Sequence, residues 1–149
     1  MKSVDAIDSV LRLKGRQVWS VAPTATVFEA IQQMSERGVG ALLVISEGRL
    51  AGIISERDYA RKVILKDRWS KRTEVREIMT SPVITVTPQD KVDECMRLMT
   101  EHRIRHLPVL NGDELVGVVS IGDLVNWIIR AHAETIGQLE GYIAGKYPA

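Results

Sequence analysis

The sequence predicts a mixed α/β (α+β) protein built from two copies of one unit, each ordered strand, helix, strand, strand, helix. The first observation behind this is an internal repeat. When the 149-residue sequence is shifted by 65 positions, so that Val18 meets Val83 and Asp58 meets Asp123, thirteen pairs between these limits are identical without a gap. The second observation is that both copies carry the same hydrophobic pattern in the same order. We expect a pseudo-twofold axis to relate the copies.

Each copy begins with a short alternating stretch, 18–21 or 83–86, which predicts a strand. A proline follows, and Pro23 and Pro88 are interpreted as the first residues of the next helix. Apolar residues at spacing i, i+3, i+4 and i+7 predict that helix in both copies, with one buried face each. These residues are Val27, Ala30, Ile31 and Met34 in the first copy and Val92, Cys95, Met96 and Met99 in the second.

Two β-rich runs come next in each copy and predict a hairpin. In the second copy Asn111-Gly112 separates the runs, a pair typical of tight hairpin turns. A helix closes each copy, beginning near Glu56 and near Ile121. The runs are 41–45 and 50–54 in the first copy and 107–110 and 115–119 in the second.

The segments outside the repeat are also structured in this interpretation. Residues 3–14 are predicted to be helical, with Gly15 as the stop. Residues 61–82 connect the copies and are rich in charged residues. They do not have the composition of a low-complexity linker. The last helix is predicted over 121–143.

Composition narrows the possible classes of function. The chain has 20 Lys and Arg against 19 Asp and Glu, a formal charge of +1 that disfavours a dedicated nucleic-acid-binding protein. A single cysteine forms no internal disulfide, and Cys and His show no zinc-site spacing. No apolar run is long enough to cross a bilayer, and residues 1–20 are too charged for a signal peptide. We therefore expect a cytoplasmic, globular protein without a membrane partner.

The segments Gly52–Asp58 and Gly117–Asp123 carry the most informative motif, Gly-x-x-Ser-x-x-Asp. In both, a hydroxyl ends an apolar strand and a carboxylate follows at the opening of a helix. Unpaired N–H groups and the helix dipole at such a junction favour a phosphate. The carboxylates of Asp58 and Asp123 repel phosphate, so they are interpreted as acceptors for a ribose diol, with Ser55 and Ser120 between ribose and phosphate.

The same Ser-x-x-Asp pattern is also that of a capping box, in which the pair only satisfies N–H groups of its own helix. Both interpretations stay open, and they are compatible. Other candidates are weaker: His102 and His106 have no third metal ligand nearby, and Cys95 lies on an apolar helix face. No set of residues suited to catalysis is found, so we expect no enzyme, no catalytic cofactor and no metal.

The repeat as a whole resembles a CBS-domain pair (a Bateman module), over about residues 16–130. The resemblance rests on Leu50–Asp58, Leu115–Asp123, Arg103–Leu110 and the Glu77–Pro88 entry into the second copy. It implies a division of the chain into five parts. These are an N-terminal helix (1–15), CBS unit 1 (16–66), a linker (67–80), CBS unit 2 (81–131) and a C-terminal helix extension with a tail (132–149).

The resemblance implies that the cleft between the units binds an adenosine-containing ligand: AMP first, or ADP, ATP, NAD or S-adenosylmethionine. In that family pattern the Ser and Asp of the motif hold ribose and phosphate, and the base lies beside the first strand and the start of the second. The positions that match the base-binding segments are Val18, Ser20, Ala22, Val39, Gly40, Ala41, Val83, Thr85, Thr87, Ile104, Arg105 and His106.

The two copies differ at these positions. Arg105 and His106 of the second copy stand where the first has Gly40 and Ala41, and basic residues there contact phosphate in related families. Arg57, inside Ser-Glu-Arg-Asp, is interpreted as the first copy's compensating cation. This predicts two unequal sites, with the second copy more cationic at its phosphate end.

The expected function is nucleotide sensing, with the bound state passed to an unidentified regulated protein. We expect a homodimer through faces of the Val27/Met34 type or through the terminal helices. Two other functions stay open: an RNA-binding module that uses the basic linker with Arg103 and Arg105, and a ligand-free dimerisation domain.

Overall fold

The computed structural model describes residues 5–143, with side chains through residue 133. Its helices and strands form two units of the same order, except that the second unit lacks the first strand. The mixed α/β fold is confirmed. The first unit contains β1 (Ser20–Val21), α2 (Val27–Arg37), β2 (Ala41–Ser46), β3 (Arg49–Ser55) and α3 (Glu56–Tyr59), and α1 (Ile7–Lys14) precedes it. A π-helical turn (Ala60–Ile64), a 3₁₀ turn (Ser70–Arg72) and α4 (Val75–Ile78) connect the units. The second unit contains α5 (Val92–His102), β4 (His106–Asn111), β5 (Glu114–Ser120) and α6 (Ile121–Ile143).

Both predicted hairpins are confirmed. In the first unit β2 pairs antiparallel with β3 from Ala41↔Ser55 onward, and in the second β4 pairs with β5 from His106↔Ser120 onward. The turn of the second hairpin is Gly112-Asp113, because Asn111 is already paired with Glu114. Each hairpin therefore delivers its last strand residue, a serine, to the start of the closing helix.

The prolines do not begin the helices, and that part of the sequence interpretation is wrong. Helix α2 starts at Val27 behind a capping box: the Glu29 N–H donates to Thr26 Oγ1 at 3.1 Å, and the Thr26 N–H donates to the Glu29 carboxylate at 3.2 Å. Pro23 and Pro88 lie in the turns that precede α2 and α5. In α2 a local side-chain cap, rather than the proline ring, sets the first helical residue, whereas α5 begins after Lys91 without a side-chain cap.

The predicted strand at 83–86 is also wrong, since only Val86 forms a bridge, with Val109. In the first unit the equivalent strand β1 is held by the Leu43 N–H, which donates to Trp19 O at 3.1 Å. The repeat places Pro108 at the position of Leu43. Proline has no N–H, so the second unit lacks this bond and its first strand shrinks to a bridge.

Each unit is completed by the helix that belongs to the other half. The Ile7 N–H donates to Asp90 O, and the Val75 N–H donates to Ala25 O, both at 2.8 Å. Ala25 and Asp90 are equivalent positions of the repeat, so α1 and α4 are equivalent helices that have exchanged units. Side chains of α1 enter the second core, and those of α4 enter the first. The fully buried members are Ile7, Val10 and Leu11 in one core and Val75 and Ile78 in the other.

The glycine of each Gly-x-x-Ser-x-x-Asp motif makes room for this exchanged helix. A Cβ at Gly117 would lie 2.8 Å from Leu11 Cδ2, and one at Gly52 would lie 2.6 Å from Met79 Sδ. Real Cβ atoms do not approach other heavy atoms so closely. A larger residue at either motif glycine would therefore force Leu11 or Met79 to move, next to the serine and aspartate that face the clefts.

The helix faces predicted from periodicity are the buried ones. Val27 and Met34 of α2 are 0% and 1% exposed within the first core, so this face is closed to a second chain, and that part of the dimer expectation is wrong. The predicted N-terminal helix begins at Ile7 rather than at residue 3, whose position lies outside the described residues, as does the tail 144–149. The predicted span of the last helix is confirmed.

Candidate functional site

Ser55 and Asp58 form a capping box at the start of α3. The Asp58 N–H donates to Ser55 Oγ at 3.2 Å, and the Ser55 N–H donates to Asp58 Oδ2 at 3.0 Å. Ser120 and Asp123 repeat the arrangement at α6, with distances of 3.1 and 2.8 Å. The capping interpretation is confirmed, and these N–H groups already have partners. The carboxylates nonetheless lie at the edges of two clefts.

The first cleft, which we call the Asp58 cleft, has a cavity volume of about 430 Å³. One wall comes from the first unit and the other from the second. Its polar lining holds five cationic side chains against two carboxylates, and its apolar lining comes mainly from the second unit. The cations are Arg57, Arg61, Lys62, Arg103 and Arg105, the carboxylates are Glu56 and Asp58, and the apolar residues include Val83, Ile84 and Ile104.

The second cleft, which we call the Asp123 cleft, has a cavity volume of about 300 Å³. The two units have exchanged roles here, so that the motif belongs to the second unit and the facing strands to the first. Ser120 and Asp123 come from the second unit, and the facing wall in the first unit comes mainly from the residues just before β1, from β2 and from the residues just before β2. One cation, Lys14, and one carboxylate, Asp123, line it. The facing wall includes Val18, Trp19, Val39, Gly40 and Ala41.

Each cleft thus joins the motif of one unit to the strands of the other, which changes the expected charge distribution. The sequence interpretation set Arg57 of the first copy against Arg105 of the second, and this is wrong, because both line the Asp58 cleft. Arg57 Nη1 also donates to Arg103 O across the cleft at 3.2 Å. The charge difference between the clefts is therefore larger than expected, and the Asp58 cleft is the cationic one.

Four of the positions expected at the base lie outside both cleft linings: Ser20, Ala22, Thr85 and Thr87. The linker cations Lys71 and Arg72, which could have reached a cleft, instead stack over Phe28 and Trp69 at 4.7 and 4.8 Å. Strand periodicity does not explain the first result, because Val18 and Trp19 both line the Asp123 cleft and Val83 and Ile84 both line the Asp58 cleft, although they are consecutive residues. The neighbours Trp19 and Ile84 face the clefts instead.

His106 is shared by both clefts, together with Gly40 and Ile53. Burial lowers the pKa of His106, and the nearby charges of Lys14 and Arg105 lower it further, while Asp123 acts in the opposite direction. The ring is therefore mainly neutral at pH 7. The positive charge expected here is absent at neutral pH, and Arg105 is left as the cation of this strand.

The two motif carboxylates have different lysine partners, which sequence reasoning missed. Lys62 Nζ lies 3.1 Å from Asp58 Oδ1, and Thr80 Oγ1 donates to the same oxygen at 3.4 Å. Lys14 Nζ lies 2.5 Å from Asp123 Oδ2. The spacing i, i+4 could have revealed Lys62. Nothing in the sequence connects Lys14 with Asp123, because a fold contact across 109 positions brings them together.

Other chemistry is not supported in the part of the chain that the structure describes. Within residues 5–143, no helix is both long and apolar enough to span a membrane. His, Cys, Asp and Glu residues form no group of three that could hold a metal ion within residues 5–133, whose side chains are described. Burial raises the pKa of Cys95 to about 12, which keeps this thiol protonated and inert.

Comparison with known proteins assigns a family to this architecture. The model of the CBS domain matches twice, over residues 12–65 and 75–130. CBS domain-containing protein CBSX3, mitochondrial, of Arabidopsis thaliana is 45% identical over 150 residues, which is 95% of this chain and 73% of that protein. A solved protein with CBS domains from Burkholderia ambifaria is 50% identical with a TM-score of 0.82, and the match covers 85% of this chain and 95% of the other.

A more distant solved structure shares the fold. It is the CBS-domain pair of protein MJ0100, in complex with 5′-methylthioadenosine and S-adenosyl-L-methionine, 24% identical with a TM-score of 0.74 over 84% of this chain and 96% of that one. Proteins with CBS domains are typically regulatory rather than catalytic. Two family matches, each covering one repeat, together with this fold show that the chain belongs to the CBS-domain family as a tandem CBS-domain pair.

Proposed function

We propose that this CBS-domain pair is a regulatory module that binds an adenine nucleotide in the Asp58 cleft without transforming it. One observation carries the proposal: Arg57 and Arg105, from different units, line the same cleft as the carboxylate of Asp58. An anionic group and a diol in one ligand match these side chains. AMP is the smallest adenine nucleotide with both, and ADP, ATP and NAD share them.

The apolar wall suits the base. Val83, Ile84 and Ile104 line the Asp58 cleft on the side of the second unit, and they can cover the faces of a purine. Backbone groups flank this wall, because the first strand of the second unit is reduced to a bridge. The same fold in MJ0100 accommodates adenosyl compounds, which supports an adenosine-type ligand.

The Asp123 cleft suits a ligand of lower charge. Its single lining cation, Lys14, is paired with its single carboxylate, and the remaining wall is largely apolar. An adenosine derivative without a phosphate dianion, such as the adenosyl part of S-adenosylmethionine, fits this balance better than ATP. The two clefts therefore prefer different members of one ligand class.

Ligand in either cleft touches both units, so binding favours one relative position of the units over others. A partner chain can detect that position, and a second copy of this chain is one such partner. Val125 and Ile129 of α6 are 40% and 58% exposed, and Ile64, the repeat equivalent of Ile129, is 57% exposed. We call Val125, Ile129 and Ile64 together the terminal-helix surface, and we assign this surface to the interface of a homodimer.

Calorimetry with AMP and with adenosine tests the Asp58 cleft. Loss of a charge-assisted contact weakens binding by about 10- to 150-fold. Arg105→Gln should therefore weaken the binding of AMP to that extent and leave the binding of adenosine nearly unchanged. Arg97→Gln is the matched control, because Arg97 is exposed on α5 and lines neither cleft. Equal losses for both ligands would show that Arg105 only shapes the wall.

A ligand-free dimerisation domain would give a different result. Purified protein can be denatured and the released small molecules identified by mass spectrometry. Recovery of an adenine nucleotide supports the proposal. Absence of any released nucleotide, combined with no heat of binding for AMP, ADP, ATP, NAD, S-adenosylmethionine or adenosine, contradicts it.

A further inference from the structure

His106 forms part of the wall between the two clefts. It lines both of them, and the other residues of the described chain that do so are Gly40 and Ile53. The ring lies beside Gly40, where a Cβ atom would be 3.8 Å from His106 Cε1 and 4.0 Å from Nε2. Glycine and isoleucine have no titratable side chain. The imidazole of His106 is therefore the one group of this shared wall, within the described residues, whose charge can change near pH 7.

Charged groups from four elements lie around this ring. Burial lowers the pKa of His106 most, Lys14 of α1 and Arg105 of β4 lower it further, and Asp123 of α6 raises it. Glu56 of α3 is also near, since its Oε2 lies 4.0 Å from the same Cβ position at Gly40. The ring nitrogens have no hydrogen bond to another described residue. The ring is thus neutral at pH 7, and an added negative charge nearby favours its protonated form.

The position of His106 connects it with the anion of the proposed ligand. Arg105, the residue directly before it, lines the Asp58 cleft, whereas Lys14 and Asp123 line the Asp123 cleft. A ligand anion beside Arg105 therefore brings negative charge to the ring from one side, and a charged ring acts on the contents of the other side. The repeat places Ala41 at the equivalent position of the first unit, so this unit has no second group of the kind.

We propose that His106 couples the two clefts: an anionic ligand in the Asp58 cleft brings a proton onto the ring, and the charged ring then disfavours a cationic ligand in the Asp123 cleft. This rests on the proposed function of the clefts. The proton is taken up from solvent and forms an N–H bond on the imidazole, so no bond of the ligand changes. The coupling is reciprocal, because a cation in the Asp123 cleft weakens the anion in the Asp58 cleft by the same factor.

Adenosine 5′-sulfate is the probe for the first step, because its sulfate is anionic and has no proton to exchange near neutral pH. Calorimetry at pH 6.5 in buffers of different ionisation enthalpy should show net proton uptake on binding. The affinity should rise at least about threefold from pH 7.5 to pH 6.0. Both effects should disappear in His106→Gln and remain in the control His102→Gln, since His102 lines the Asp58 cleft alone.

Nuclear magnetic resonance gives a readout on the wild-type protein, which has three histidines. Saturating adenosine 5′-sulfate should raise the pKa measured from the ring protons of His106. Absence of proton uptake, or an unchanged pKa of His106, would overturn the proposal. Loss of the uptake in His102→Gln rather than in His106→Gln would also overturn it.

S-adenosylmethionine and S-adenosylhomocysteine test the second step, because they differ by one methyl group and the sulfonium charge. Saturating adenosine 5′-sulfate should weaken S-adenosylmethionine at least about fivefold more than S-adenosylhomocysteine, which is a typical coupling between two sites. The difference should vanish in His106→Gln. Equal weakening of both compounds in wild type would indicate competition for one cleft and contradict the coupling, as would failure of S-adenosylmethionine to bind.

The outcomes separate this inference from the proposed function. If Arg105→Gln weakens AMP as expected while proton uptake is absent, only the role of His106 falls. If neither AMP nor adenosine 5′-sulfate binds wild type or any variant, the proposed function falls and this inference with it.

Discussion

The motif aspartates combine a helix-capping contact with a position at the edge of a cleft. Asp58 accepts the Ser55 N–H as part of a capping box, and its other oxygen faces Thr80 and Lys62 at the cleft. In the proposed function, stability and ligand binding would therefore depend on the same side chain but on different atoms. Substitutions that differ in what they retain can separate the two contributions.

The substitutions Asp58→Asn and Asp58→Ala should separate the contribution of Asp58 to stability from its contribution to ligand binding. Asparagine keeps an oxygen that can accept the Ser55 N–H, whereas alanine removes the cap, which costs about 0.5–2 kcal/mol of unfolding free energy. Both variants lose the charged acceptor, so the binding of AMP should be about 10- to 150-fold weaker. Urea unfolding and calorimetry measure the two quantities. Normal AMP binding by both variants, with lower stability of the alanine variant only, would leave capping as the sole role.

His106 should make stability depend on pH. Its pKa in the folded protein is lowered, chiefly by burial, so below about pH 6.5 the unfolded chain binds more protons than the folded one at this residue. The unfolding free energy should therefore fall as the pH drops from 7.5 towards 5.5, and His106→Gln should lose part of this decrease. The exposed His102 gives the control variant His102→Gln. Identical pH profiles for His106→Gln and wild type in urea unfolding would contradict the assignment.

At the level of elements, exchange of α1 and α4 between the units decides how the two halves depend on each other. Each core contains a helix whose chain leads into the opposite unit, so neither half can close its core from its own repeat alone. Leu11 illustrates this, because it is fully buried against Gly117 of β5 although the two are far apart in sequence. The units should therefore unfold together.

Leu11→Ala should destabilise the whole protein by about 2–5 kcal/mol, the usual cost of removing a large buried aliphatic side chain. Leu13→Ala, two residues further along the same helix, is the control, since Leu13 is 53% exposed and its loss should change stability by no more than about 0.5 kcal/mol. Urea unfolding followed by tryptophan fluorescence measures both. Equal effects, or a separate transition of one unit in Leu11→Ala, would argue against the exchanged packing.

For the molecule as a whole, exposed apolar residues mark where a second chain can bind. Val125 and Ile129 follow one another by about one helical turn on α6, and Ile64 repeats the feature in the first unit. The buried positions of Val27 and Met34 leave the terminal-helix surface as the candidate interface. Charge at its centre should oppose association.

Sedimentation velocity tests the assembly directly. Wild type should sediment as a homodimer at micromolar concentration, and Ile129→Glu should sediment as a monomer because the new carboxylate loses hydration in the interface. Leu13→Glu is the control, since Leu13 has similar exposure but lies on α1. A monomeric wild type, with or without AMP, would rule out this dimer.

The sequence by itself determined the repeat, both hairpins, the buried helix faces and the element order apart from the first strand of the second copy, because these follow from local periodicity and turn chemistry. It also located the Ser-x-x-Asp junctions, and it left capping and binding open since one pattern serves both. Only the tertiary structure decided which motif faces which strands. Arg57 and Arg105 meet in one cleft because the motif of the first unit faces the strands of the second, and no local pattern encodes that pairing.

The same reason explains what sequence reasoning missed. Pro108 shortens a strand that lies more than twenty residues before it, and Lys14 reaches a carboxylate at the far end of the chain. Hydrogen bonds and ion pairs form wherever packing brings donors and acceptors together, whatever their separation in sequence. The chemistry of each residue was thus present in the sequence, and the packing of the two units against each other decided which residues share a cleft.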